Sequence, residues 1–160
     1  MNQIKNKSAL NLIFFFSLFV ILAAYFIEYV LGHKPCSLCF AERIPYLLSI
    51  LLIILTMILK KFEKITLILL SLFFIFGTLV SFYHFGIEQG LFSESFICNI
   101  IGNSENLSKE DLLEQIKQTP VSCKDVTFRI FGLSLATINT VISLALSVIT
   151  IKLYLNYEKN

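Results

Sequence analysis

Four apolar runs of about 20 residues each leave this chain very few folds to choose from. They cover residues 9–31, 40–59, 65–83 and 130–151. A helix rises about 1.5 Å per residue, so about 20 residues cross a hydrocarbon core of about 30 Å. The first run carries one charge, Glu28. The second reaches full length only with Glu42 and Arg43 counted, which sets both at its membrane edge. Hydrophobic residues make up 56% of the 160 positions and charged residues 15%, too little polar surface for a soluble domain. The expectation is a single all-α domain over residues 1–160: a four-helix transmembrane bundle in a lipid bilayer. A signal peptide is the rival reading of the first run, since Lys5 and Lys7 resemble an n-region. That run is too long for an h-region and lacks an Ala-x-Ala pattern before Cys36.

Orientation follows from lysines in the short connections. Lys5, Lys7, Lys60, Lys61, Lys64, Lys152 and Lys159 all fall on one side of an alternating topology, so both termini are expected to be cytoplasmic. The other side receives the segment 32–39 and a long outer loop, about 84–129. That loop also holds seven acidic residues between Glu88 and Asp125, and long loops cross largely regardless of charge. The net charge of +2 decides little about partners, and no nucleic-acid partner is expected. Cys36, Cys39, Cys98 and Cys123 are thereby all placed outside, with none inside a span. Disulfides persist there, whereas the cytosol would keep these thiols reduced.

Cys36-Ser37-Leu38-Cys39 sits where the outer segment turns into the second span, with Pro35 ahead of it. The motif is expected to open the helix, where backbone amides and the helix dipole stabilise a thiolate. Arg43 follows Cys39 by four residues, on the same face. An arginine at the bilayer edge needs a partner or a task. It can stabilise the Cys39 thiolate, polarise a quinone carbonyl, pair with Glu28, or snorkel to a lipid headgroup. A CxxC by itself also serves zinc sites and thioredoxin-like motifs. Phe40 after Cys39 excludes a c-type haem site. The 25-residue separation of Cys98 and Cys123 argues against a second zinc knuckle, so no metal centre is expected. Two neighbouring thiols opening a helix suit reversible two-electron exchange.

Cys98 and Cys123 flank a polar stretch in which Ser108-Lys109-Glu110-Asp111 reads as a helix start. Leu112, Leu113 and Ile116 give this short amphipathic helix an apolar side, and Thr119-Pro120 ends it. It serves equally as a membrane-surface helix or as a cover for the bundle. His84 closes the third span near the expected level of Arg43, either as a proton donor to a reduced quinone or as an interfacial anchor. Glu28, an acid within a span, points to a site and has Arg43 or His84 as candidate partners. Tyr25, Tyr29 and Tyr83 fit an interfacial aromatic belt.

Three blocks of the chain together resemble one family. They are Tyr25 through Arg43, containing Pro35-Cys36-Ser37-Leu38-Cys39; Tyr83-His84-Phe85-Gly86-Ile87-Glu88-Gln89-Gly90 followed by Cys98; and Cys123 followed by Phe131 through Asn139. The family is DsbB, the quinone-linked thiol oxidoreductases of bacterial inner membranes, and with the hydrophobic profile the resemblance covers nearly the whole chain. It implies that Cys36 and Cys39 are the quinone-linked pair, with Cys39 facing a ubiquinone or menaquinone. Arg43 and His84 would support quinone binding. Cys98 and Cys123 would form the mobile-loop pair, with Cys98 attacked by a DsbA-like thioredoxin-fold protein. Electrons would then reach Cys36 and Cys39 through a Cys36–Cys123 bridge. A DsbA-type dithiol, at about −120 mV, needs an acceptor as oxidising as a membrane quinone. Glu28 departs from the family, where glutamine is usual. Two other readings stand beside this one: a vitamin K epoxide reductase-like quinone reductase, whose CxxC usually lies late in the chain, and a non-enzymatic scaffold with two structural disulfides.

Overall fold

The computed structural model describes residues 2–59, 62–93, 123–124, 128–130 and 132–158. Helix α1 spans Asn2–Tyr29, α2 Ser37–Leu59, α3 Glu63–Glu88 and α4 Leu135–Glu158. All four are long and apolar enough to cross a membrane. The protein is a four-helix transmembrane bundle. Between α3 and α4 lies a minimal antiparallel ladder of β1 (Arg129–Ile130) and β2 (Leu133–Ser134), in which Arg129 faces Ser134 and Ile130 faces Leu133. The amphipathic helix expected from Ser108 falls outside the described residues.

The bundle sorts its side chains by polarity in the way a lipid solvent demands. Leu51, Leu79 and Val141 face outward, each more than 60% exposed. Ser17, Ser49, Ser81 and Ser143 are fully buried between helices. Small side chains at the seams let backbones approach, and lipid tails solvate the large ones outside. At the tightest crossing, a Cβ on Gly77 would meet Pro45 and the Ser143 hydroxyl, each at 3.3 Å. Several buried hydroxyls return their hydrogen to the helix: Ser49 donates to the Pro45 carbonyl, Ser81 to Gly77 and Thr150 to Leu146. Tyr46, Ile53, Leu67, Leu70 and Phe74 fill the centre. Helix α3 packs against both α2 and α4, whereas α1 leans mainly on α2 and barely meets α4.

Three boundaries differ from the sequence reading. Helix α4 begins at Leu135, not near residue 130, because the β1–β2 ladder occupies the intervening residues and turns at Gly132, whose φ is +84°. Helix α3 continues past Tyr83 to Glu88. It ends at Gly90, φ +74°, where Leu91 N–H donates to the Gly86 carbonyl and Gly90 N–H to Ile87. These paired bonds satisfy carbonyls left open at a helix end and require the left-handed residue that glycine supplies. His84 is therefore held one turn inside a rigid helix. Helix α2 begins at Ser37, so the motif does open the helix, but Cys39 lies within the span.

Candidate functional site

Cys36 is the residue immediately before α2, and it caps that helix with sulfur. Its Sγ accepts the Cys39 backbone N–H at 3.2 Å, the bond a serine or aspartate makes at this position. The Cys39 sulfur lies 2.7 Å from the same atom, a contact in which either thiol can donate. From across the bundle, His84 Nε2 approaches Cys36 Sγ to 3.5 Å. These donors, the Cys39 thiol first, hold the Cys36 thiol down to about 4, against burial that pushes it up. Cys36, 6% exposed, is thus the sulfur of the pair that the site favours as a thiolate, with Cys39 beside it as a free thiol.

The histidine is aimed by a chain of groups behind it. Nδ1 donates to Glu42 Oε1 at 2.7 Å, and Glu42 Oε2 accepts from Asn139 Nδ2 at 2.9 Å. Asn139 also donates to Ser81 Oγ at 2.7 Å, and its Oδ1 accepts from Tyr46 OH at 2.6 Å. With Nδ1–H committed to the carboxylate, Nε2 is the ring nitrogen left to serve the sulfur. Cys36, His84 and Glu42 therefore form an ordered sulfur–imidazole–carboxylate row. Glu88 stands one turn beyond His84, with Oε1 at 3.9 Å from Nε2. Its Oε2 is buried without a hydrogen-bond partner among the described residues.

This row faces a cavity of about 380 Å³ in the gap between α1 and α4. Its wall is apolar, from Phe19, Ala23 and Ile27 on one side to Ala136 and Ile142 on the other. Its polar end holds the site's ionisable side chains. Arg43 reaches Glu28 at 2.5 Å, and its guanidinium lies 5.1 Å from the ring centres of both Tyr25 and Phe40. Cys123 is disulfide-bonded and 2% exposed, and it shares one buried cluster with Cys36, Leu38 and Ile87. Cys98 lies outside the described residues.

Glu28, Cys36, Cys39, Arg43 and His84 therefore all meet at one cavity. Two details differ from expectation. The helix terminus stabilises Cys36, not Cys39, because Cys36 is the capping residue. Arg43 takes Glu28, one of the partners expected for it, whereas His84 has Glu42, not Glu28, as its carboxylate. Sequence reasoning missed Glu42, Glu88, Asn139 and Tyr46. Glu42 passed as a marker of the membrane edge, although it is 7% exposed inside the bundle. The available signal was a carboxylate and an asparagine within apolar helices, which is rarely without purpose.

The thiolate gives a direct test. In metal-free buffer, thiolate absorbance of the reduced protein is expected to stay flat from pH 9 down to about 5 and to halve near pH 4. A cysteine at its ordinary value would lose the signal below pH 8. With His84→Ala the midpoint rises toward neutrality; an unmoved midpoint would remove His84 from the site.

A CxxC at the start of a membrane-length apolar helix, a disulfide-bonded cysteine packed beside it and an apolar cavity alongside fit a membrane thiol–disulfide oxidoreductase. Comparison with known proteins agrees. Residues 6–153 match the family described as disulfide bond formation protein DsbB, and the chain belongs to that family. An uncharacterized protein of Rickettsia prowazekii (strain Madrid E) is 31% identical over 164 residues, covering 99% of this chain and 95% of its own length. The SPbeta prophage-derived disulfide bond formation protein B of Bacillus subtilis (strain 168) is 37% identical over 109 residues, covering 65% of this chain and 68% of that protein.

Proposed function

We propose that this protein reoxidises a DsbA-like thioredoxin-fold dithiol protein outside the inner membrane and passes the electrons to a membrane quinone. The observation that carries this reading is the position of Cys36. It is a buried thiolate between the disulfide-bonded Cys123 on one side and an apolar cavity on the other. The cavity suits a quinone head in size, in its apolar wall and in the donors gathered at its polar end. Arg43, His84 and Glu28 are the residues that would hold that head. The lysine distribution places both termini in the cytoplasm and the cysteines in the periplasm.

In the relay, the partner's thiolate attacks the disulfide of Cys123, with Cys98 as the sulfur it joins and Cys123 as the leaving thiolate. Cys123 then attacks Cys36, so that a Cys36–Cys123 bridge forms as the Cys36–Cys39 bond breaks. The partner's second thiol displaces Cys98 and leaves oxidised. Cys98 in turn displaces Cys36, which restores the outer disulfide and leaves Cys36 and Cys39 as the thiolate–thiol pair seen here. A bound quinone supplies an acceptor for two electrons and two protons. Cys36 and Cys39 rejoin as that acceptor is reduced: the Cys39 S–H bond breaks, and His84 gives up the proton at Nε2. Glu42 keeps the imidazole in place throughout.

Trapping tests the reading. With Cys123→Ala the resolving sulfur is gone, and a mixed disulfide through Cys98 to a periplasmic thioredoxin-fold protein is expected on a non-reducing gel. Purified wild-type protein is expected to bleach quinone absorbance when given the reduced partner. No trapped species together with no quinone reduction would sink the proposal.

A further inference from the structure

The reduced site has a feature that disulfide exchange does not call for. Cys36 Sγ, Cys39 Sγ and His84 Nε2 all lie within 4.8 Å of one another. Glu88 neighbours the histidine, with Oε1 3.9 Å from Nε2, and its Oε2 is buried without a partner among the described residues; its carboxylate lies outside the 4.8 Å that groups the other three. Behind the histidine, Glu42 accepts from Nδ1, the outer carboxylate that orients metal-bound histidines and raises their basicity. Two sulfurs, one imidazole and one carboxylate make a four-donor set for a borderline-soft cation.

We propose that the dithiol form of this site binds zinc(II) through Cys36, Cys39, His84 and Glu88, and that the metal caps the pair against oxidation. With Zn–S of about 2.3 Å and Zn–N of about 2.1 Å, a tetrahedral ion sets sulfur to nitrogen at about 3.6 Å and sulfur to sulfur at about 3.8 Å. Cys36 Sγ already stands 3.5 Å from His84 Nε2. The two sulfurs are 2.7 Å apart, so Cys39 must swing out by about 1 Å, a side-chain rotation at the edge of the open cavity. Glu88 Oε1, at 3.9 Å from Nε2 and outside the cluster of the other three donors, must turn toward the sulfurs to close the set. No electrons move. The Cys39 proton and the His84 Nε2 proton leave as the ion enters, and Glu42 retains the proton on Nδ1. Oxidation to the Cys36–Cys39 disulfide removes both thiolates and with them the site, so metal binding is gated by redox state. It needs the thiols but not the quinone.

The experiment uses full-length detergent-purified protein carrying Cys98→Ser and Cys123→Ser, so that Cys36 and Cys39 are the only thiols. Zinc chloride is titrated against a chromophoric chelator, and cobalt(II) serves as the spectroscopic probe. The dithiol form is expected to bind one equivalent, with thiolate-to-cobalt charge-transfer bands and tetrahedral visible bands, and the oxidised form none. Both His84→Ala and Glu88→Gln are expected to weaken zinc binding by roughly 10- to 100-fold. Glu88→Gln keeps the shape of the side chain and decides the matter if His84→Ala does not fold. The proposal is overturned if the dithiol form takes up no stoichiometric metal, if the oxidised form binds equally, or if Glu88→Gln binds zinc as tightly as the parent. Quinone reduction by the metal-free wild-type protein is measured alongside. Its absence would count against the electron relay and leave the metal result standing.

Discussion

Cys36→Ser is expected to fold and insert normally yet to lose thiol-driven quinone reduction down to the background rate. Serine matches cysteine closely in shape, and its oxygen can keep the capping bond from the Cys39 N–H, so α2 retains its first turn. What disappears is the chemistry. An alcohol neither exchanges with a disulfide nor ionises near neutral pH, so Cys39 is left with no sulfur to join. His84 also loses its anionic partner and with it the reason to hold a proton at Nε2. Thermal unfolding in detergent should lie within a few degrees of wild type, and the disappearance of quinone absorbance reads the activity. A variant that turns over at the wild-type rate would remove this pair from the path. Cys39→Ser should be equally inactive, but it leaves a Cys36 nucleophile able to form a stable bridge to Cys123.

The second large effect belongs to Glu42, a residue with no sulfur contact. In Glu42→Gln the new amide oxygen can still accept from His84 Nδ1, but its nitrogen then faces Asn139 Nδ2, donor against donor. If the amide turns to suit Asn139, it opposes His84 instead. One buried group is left unsatisfied either way, and the imidazolium loses the charge that balances it. Hydrogen bonds to charged groups contribute about 1.5–3 kcal/mol, or roughly tenfold to somewhat over a hundredfold in an equilibrium. Quinone reduction should fall by a factor of that size. The thiolate midpoint of Cys36 should rise, because the imidazole beside the sulfur loses the carboxylate that favours its charged form. A merely structural role would lower stability without moving that midpoint, so the pH profile separates the two. Unchanged turnover with an unchanged midpoint would show that His84 needs no carboxylate behind it.

Arg43 and Glu28 invite a subtler comparison. Their ion pair is flanked by two aromatic rings at the polar end of the cavity, and each is largely shielded from water, at 12% and 15% side-chain exposure. Removing one partner strands the other charge at the edge of hydrocarbon, a larger penalty than the pair itself is worth. Arg43→Ala is therefore expected to lower stability more than the double variant Arg43→Leu/Glu28→Leu, and both are expected to weaken quinone turnover. Kinetics with varied quinone concentration and thermal unfolding of both variants check this. If the double variant unfolds more readily than either single one, the pair is a structural clamp.

Much of this protein is legible in its residues alone. Hydrophobic runs of membrane length compel four helices, since a backbone crossing lipid must satisfy its own polar groups. The Pro-Cys-x-x-Cys segment marks a helix start because proline disfavours helix before it and capping favours helix after it. Those signals are local. The site is not local. Cys36 and His84 are 48 positions apart, and Glu42 and Asn139 are 97. No periodicity within one helix can say which face of α2 meets which turn of α3 or α4, because lipid accepts any apolar face and so leaves helix rotation open. Packing of Gly77 against Pro45 and Ser143 sets that rotation, and the set rotation turns Glu42 inward to His84. Sequence alone determined that two thiols open a helix at a membrane surface. Tertiary structure decided that Cys36 is the thiolate, because only the folded bundle brings a histidine backed by a carboxylate against the sulfur that caps that helix.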